Sequence, residues 1–235
     1  MAWVHGGEIL VARTPRPADG ALALGPTLAE PHSDCVMITA RPADHAGDPD
    51  DLPPFRFRRW MLSEDPTVAI PVEAWAALAS HVPDFLRRNL RGRTTAELTL
   101  HTMVALLHDQ GRADDLTMRV ADLARVAVEA TTLVRTSVER AGLVPGGGVV
   151  AVSNSRAMAI VARDQPLAIH ALRVTNDRGQ RDDSFRGALV SAGLDPSSVA
   201  PSRVDPDALV PELVPAGSLV TISRDLLVAI APLAR

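Results

Sequence analysis

The chain has 235 residues, 46% of them hydrophobic, enough for one sizeable core and, by default, a single domain over residues 1–235. A formal net charge of −4 gives no basic footprint for nucleic acid. All 24 cationic residues are arginine, which excludes lysine Schiff-base and lysine general-base chemistry. Cys35 stands alone, so no intramolecular disulfide forms, and no cofactor fingerprint or metal-ligand pair stands out. Met1 to Leu10 lacks the basic start and apolar run of a secretory leader. No window reaches the roughly 18 apolar residues of a membrane span, so a cytoplasmic protein is expected.

In chain order, Ala2 to Arg13 holds His5-Gly6-Gly7-Glu8 between two short apolar runs and predicts a hairpin. Leu22 to Glu30 reads as a short helix or loop, and Cys35 to Ala40, CVMITA, as a buried strand. Arg41 to Pro54 is rich in Asp and Pro and predicts a surface loop. Phe57 to Leu62 is the next strand, running into a polar turn at Ser63-Glu64-Asp65. Helical spacing covers Val72 to His81, and Pro83 opens a second short helix ending near Leu90. Thr94 to Glu97 has the form of a capping box, with Thr94 as N-cap of a helix over Leu98 to His108. Asp114 to Ala141 predicts one long amphipathic helix ended by Gly142, with Leu116, Val120, Leu123, Val126, Val128, Leu133 and Val138 on its apolar face. Gly146-Gly147-Gly148 then reads as a flexible connection, since it lacks the spacing and the Lys of a phosphate loop. Strands follow at Val149 to Ser153, Ala157 to Ala162 and Ala168 to Val174, then a polar loop over Asn176 to Ser184 and a Pro- and Asp-rich connector over Asp195 to Pro215. The last strands, Ser218 to Ser223 and Leu226 to Ile230, turn at Arg224-Asp225. Strands, then helices, then strands make an α+β layered pattern.

The run PFRFRRWMLSEDPTVAI over Pro54 to Ile70 closely resembles PFRFGRWLFAHNGTVAGF of small bacterial class II glutamine amidotransferases. VPDFLRRNLRGRTTAEL resembles the family run LPxxLRxxIxGxTDSEL, VMITARPADHAG resembles VLAHVRAATVG, and VPAGSLVTISRDLLVAIAPL resembles the family's closing pair of strands. The resemblance extends to γ-glutamyl amidohydrolases of ergothioneine-type pathways. It implies the N-terminal-nucleophile hydrolase fold, an αββα sandwich of two antiparallel sheets between helical layers. MAWVHGGE resembles the stretch that follows the family's DGWG motif, so the usual N-terminal segment is expected to be lacking.

By that resemblance the nucleophile is a cysteine exposed at the start of the mature chain, its α-amine acting as base. Here Ala2 follows Met1 and carries no nucleophile. Arg41 falls where the family clamps the glutamine α-carboxylate. Thr95 replaces the Asp that would hold the substrate amine, and Glu97 is retained. Asp65 and Pro66 replace the Asn-Gly pair that helps form the oxyanion hole, exchanging a donor for a carboxylate and removing a backbone N–H. Three functions have therefore changed: nucleophile, oxyanion donor and amine anchor. Arg41, Glu97 and Thr95 remain as the candidate substrate-binding set, suited to a small carboxylate ligand.

Other groups read more simply as structure. Cys35 has no sequence-local cation to activate it and is expected to be buried and inert. Asp44, His45, Asp48, Asp50 and Asp51 lack regular ligand spacing and read as a solvated loop. Ser63-Glu64-Asp65 is weighed as a new acid/base pair and judged an ordinary polar turn. His101 and His108, two helical turns apart, are expected to pack rather than ligate, and Trp60 and Trp75 to lie in the core. The favoured reading is a catalytically degenerate amidotransferase-like protein that acts as a binding or partner subunit. It would form a homo- or hetero-oligomer, with an active homologue or a biosynthetic enzyme as the other member. The alternative is an active glutamine or γ-glutamyl amide hydrolase whose nucleophilic cysteine lies upstream.

Overall fold

The computed structural model describes residues 1–13, 33–39, 48–115, 117–175, 181–193 and 211–233. A six-stranded antiparallel sheet organises them. Its strands are β4 (Phe55–Phe57), β5 (Trp60–Asp65), β6 (Val149–Ser153), β7 (Met158–Ala162), β11 (Ser218–Ile222) and β12 (Val228–Pro232), in the order β12-β11-β7-β6-β5-β4. The register aligns Leu62, Val152, Ala159 and Thr221 across four strands, and Met61, Ser153, Met158 and Ile222 in the next row. Because side chains alternate along a strand, the two rows face opposite ways.

Each face has its own cover. Trp60, Leu62, Val150, Val152, Ala159 and Val161 pack under the helices. These are α1 (Val72–Leu78), α2 (Asp84–Arg87), α3 (Thr95–Asp109) and α4 (Val120–Arg140). The other face meets two small antiparallel sheets. One comprises β1 (Ala2–His5), β2 (Glu8–Val11) and β3 (Val36–Met37), and buries Ala2, Ile9 and Met37 against Met61. The second comprises β8 (Leu167–Thr175), β9 (Arg181–Ser191) and β10 (Glu212–Val214), and buries Leu167, Ile169 and Val214 against Val149, Ile160 and Val220. A sheet buried on both faces reads as unbroken apolar text, as VVAVS and MAIVA do. The described residues thus form one helical layer and two β layers, and the second helical layer of an αββα sandwich is not among them.

Local chemistry explains where the elements begin and end. The β1–β2 hairpin turns at Gly6-Gly7, both at positive φ (58° and 84°), as glycine permits. Thr94 caps α3, its Oγ accepting from the Glu97 N–H at 3.3 Å. The α4 helix ends in a Schellman arrangement, with the Gly142 N–H on Glu139 O and the Leu143 N–H on Val138 O.

Several expectations need correction. The single strand expected over Phe57 to Leu62 is a hairpin, turning at Arg58-Arg59 and running on to Asp65. Arg58 sits at φ 51° where the family run has Gly, so no turn residue announces the bend. The long helix begins at Val120, not Asp114. Asp115 accepts from both the N–H and the hydroxyl of Thr117 and pairs with Arg112, which holds the preceding segment as a turn. Leu133, assigned to the apolar face, is 45% exposed. The CVMITA strand shrinks to Val36–Met37, and Arg181 to Ser184 of the expected polar loop belong to the strand β9, whose backbone pairs with β8 whatever its side chains, while 176–180 lie outside the described residues. Within the Pro- and Asp-rich connector, Glu212–Val214 forms β10. The expectation for Leu22 to Glu30 lies outside the described residues.

The two sides of the helical layer are separable by mutation. Leu98→Ala, at a fully buried position, should cost about 2–5 kcal/mol in urea denaturation, whereas Leu133→Ala should stay within about 0.5 kcal/mol of the parent.

Candidate functional site

The end of β5 and the start of α3 bring together most of the positions at issue. Strand alternation turns Ser63 and Asp65 to one face of the sheet and Glu64 to the other. Glu64 is 2% exposed beneath the helices, whereas Asp65 and the following Pro66 are exposed. Glu64 and Asp65 therefore do not form an acid/base pair, and the stretch is strand rather than turn. Ser63 instead meets the Thr39 hydroxyl on the far face.

Around Glu64 a polar pocket forms inside the α/β interface. Thr95 and Thr99 of α3, Thr131 of α4, Gly146 and Gly147 close on it, leaving a cavity of about 10 Å³. A Cβ on Gly146 would lie 2.3 Å from Glu64 Oε1 and 2.5 Å from Thr95 Oγ1, so only glycine fits there. Gly147 takes φ 78° and donates its N–H to Pro66 O at 3.1 Å. The glycine run, expected to be a flexible connector, is a close-packed backing for the end of β5. Sequence reasoning missed this cluster. Its only signal was a lone carboxylate in a strand otherwise apolar on that face.

The first amides of α3 are all taken. Thr95 N–H donates to Val68 O (2.9 Å), Ala96 N–H to Thr67 Oγ1 (3.3 Å) and Glu97 N–H to Thr94 Oγ1. This helix N-terminus offers nothing to an anion. Thr95 is 2% exposed and its Oγ1 accepts from the Val68 N–H at 3.0 Å, pinning the segment that leaves β5. Glu97 points away from Thr95. Its two carboxylate oxygens accept from the Arg91 N–H (2.9 Å) and the Gly92 N–H (2.8 Å). A capping box would return the Glu to the N-cap N–H; this one bridges to the preceding loop instead. Burial raises the Glu97 pKa to about 7 against the opposing pull of those two amides, with Asp51 and Asp50 adding to the rise. Both candidate binding residues thus hold backbone, and neither faces an open cleft among the described residues. Arg41, the third, lies outside them, as do Asp44 and His45.

The remaining candidates resolve into packing. Asp48 accepts from Asp50 N–H and Asp51 from Arg93 N–H, so these acids shape loops. Among the described residues no three His, Cys, Asp or Glu side chains gather as a metal site. Cys35 lies 3.5 Å from Ser153 Oγ, and burial pushes its thiol pKa up while that contact pulls the other way. A thiol held in this way is a poor nucleophile. His101 donates its Nδ1–H to Glu97 O at 3.0 Å and stands edge-on to Phe57, with burial lowering its pKa. His108 leans on Phe85 instead. Trp60 is fully enclosed, with its indole N–H on Ala113 O, and Trp75 is half-buried against the same core.

No protein-family model matches the chain, and no curated protein does. A solved structure from Silicibacter pomeroyi, described as a glutamine aminotransferase class-II domain protein, is similar in fold. The match has a TM-score of 0.56 at 14% identity and covers 100% of this chain and 90% of that one. The chain therefore has a class II glutamine amidotransferase-like fold, mixed α+β with several antiparallel sheets. Among the described residues no helix is long and apolar enough to cross a membrane.

Two outcomes follow from the hydrogen bonding. The folded state holds the Glu97 proton over the range from 4.5 to about 7, where the unfolded chain has lost it. The Glu97 contribution to stability is thus full below that window, falls as pH rises through it and is level above. Subtracting the melting curve of Glu97→Gln should isolate this slope, with the variant's own profile flatter between pH 5 and 7. Gly146→Ala should destabilise by roughly 1–3 kcal/mol in denaturant titrations, because its methyl displaces a buried carboxylate.

Proposed function

We propose that this protein is a catalytically degenerate class II glutamine amidotransferase-like protein that works as a binding or partner subunit. One observation carries the reading. Where β5 leaves the sheet, at the position that the motif resemblance equates with the oxyanion hole, stand an exposed carboxylate and a residue with no N–H. Developing negative charge needs a preorganised donor, and removing one such donor typically lowers turnover by about 100- to 1,000-fold. Asp65 adds electrostatic repulsion to that loss. The residue at Thr95 supports the reading, since it does not supply the amine anchor that the resemblance calls for. Glu97, the retained family position, is occupied by loop amides, which favours a structural over a substrate role here.

In this reading the fold is kept for recognition, with a small carboxylate ligand at Arg41 or a second subunit as the object. A homo- or hetero-oligomer with an active homologue or a biosynthetic enzyme fits that role.

Hydrolysis of glutamine and of γ-glutamyl amides by the purified protein is the first test. No turnover above background is expected for the parent. Robust turnover by the parent would overturn the assignment. Light scattering should show an oligomer, or affinity capture a defined partner; a monodisperse monomer without partner removes the subunit role.

A further inference from the structure

The six-stranded sheet treats its two edges differently. At one edge β4 is three residues long, follows Pro53-Pro54 and carries Arg56, whose guanidinium bonds Ile9 O. Such features blunt an edge against further pairing. At the other edge β12 reads Val228-Ala229-Ile230-Ala231-Pro232, uncharged and exposed along its length. The Ser223 N–H bonds Leu227 O at 3.1 Å, and the Leu233 N–H bonds Gly217 O at 2.7 Å. These two bonds fix the parity of the ladder between them. Ala229 and Ala231 turn their backbone N–H and C=O toward β11, and Val228 and Ile230 turn theirs outward. Pro232, which shares the outward parity, has no N–H and closes the open row. Among the described residues no strand pairs with this side of β12.

Side-chain burial stops at the same line. Ile222 and Val220 of β11 are buried, while Val228 and Ile230, opposite them, are 37% and 40% exposed. Leu226 and Leu227 at the hairpin end are exposed as well. A groove of about 220 Å³ opens beside β12, lined by Ile169, Ala171, Ala188, Glu212, Leu226 and Val228. An occupant of this edge must therefore be an extended, largely apolar strand. β12 itself meets that description and, across a two-fold axis normal to the sheet, is complementary to itself. Antiparallel pairing centred on Ala229 sets Val228 against Ile230 of the second copy, and Ile230 against Val228 of the second copy. Each of these pairs then exchanges both of its N–H···O bonds and stacks two β-branched side chains on one face. No charged residue lies between Leu226 and Leu233, so the two-fold brings no like charges together. We propose that β12 is the contact of a homodimer, joining two six-stranded sheets edge to edge. The proposal deepens the subunit reading and rests on it for the dimer's role.

The test is sedimentation of the whole chain over a dilution series, with amide hydrogen exchange measured on the same samples. A dimer that dissociates on dilution is expected, and Ile230→Lys, at an exposed position, should weaken it by roughly tenfold or more. The parent's own amides give a reading that needs no variant to fold. Those of Val228 and Ile230 should exchange slowly in the dimer and fast in the diluted monomer, while Ala229 and Ala231 stay slow throughout. A monomer at every concentration, or a dimer unchanged by Ile230→Lys, would overturn the contact. So would slow exchange at Val228 and Ile230 that ignores dilution, because the chain then covers its own edge. A dimer formed through another face, or a monomer that takes a defined partner protein, sinks this contact and leaves the subunit reading standing. Glutamine turnover by a parent dimer held at β12 removes that reading alone.

Discussion

Burial of both faces of the six-stranded sheet is the constraint on which the rest depends. A sheet covered by helices on one side and by two smaller sheets on the other leaves no solvent for a polar side chain in its middle strands. Any carboxylate there must be met by polar groups from the covering layer or carry a desolvation penalty of several kcal/mol. Glu64 is such a residue, and its presence accounts for otherwise odd choices far apart in sequence. Thr95 and Thr99 on α3, Thr131 on α4 and the side-chain-free Gly146 gather around it. The same logic applies on the opposite face, where Ser153 bonds Ala157 O and meets Cys35.

Strand alternation also separates what the fold needs from what catalysis would need. Glu64 points into the packed interface, and its neighbour Asp65 emerges at the exposed end of the strand. Substitutions at exposed positions such as Asp65 and Pro66 usually change stability little, while those at Glu64 or Gly146 disturb an interior. The exposed end of β5 can therefore change without loss of the core.

Legibility in the sequence followed the same division. The hairpin at Gly6-Gly7, the Thr94 cap, the Gly142 stop and the strands Val149–Ser153 and Ser218–Ile222 each rest on short-range chemistry, and each was readable. The errors have a common cause in longer-range contacts. Arg58 turns a hairpin with no turn residue, because the pairing of Phe57 with Trp60 dictates it. Leu133 is apolar and exposed because the helical layer ends there, and β9 is a strand because β8 offers it a ladder. Glu97 showed its capping pattern, but the identity of its partners, Arg91 and Gly92, depends on how the loop folds back. The polar pocket was invisible for a further reason: its members lie at 64, 95, 99, 131 and 146, a spacing that no local pattern records.

The helix that carries the candidate binding residues shows how a site can be absorbed into its scaffold. In α3 the exposed amides of a helix start would attract an anion, yet Thr67, Val68 and Thr94 accept from them first. Thr95 then fastens Val68, and Glu97 fastens Arg91 and Gly92, so both flanks of the helix start are tied to it from within. A ligand seeking Thr95 or Glu97 would have to displace intramolecular partners already held at effective concentrations far above its own.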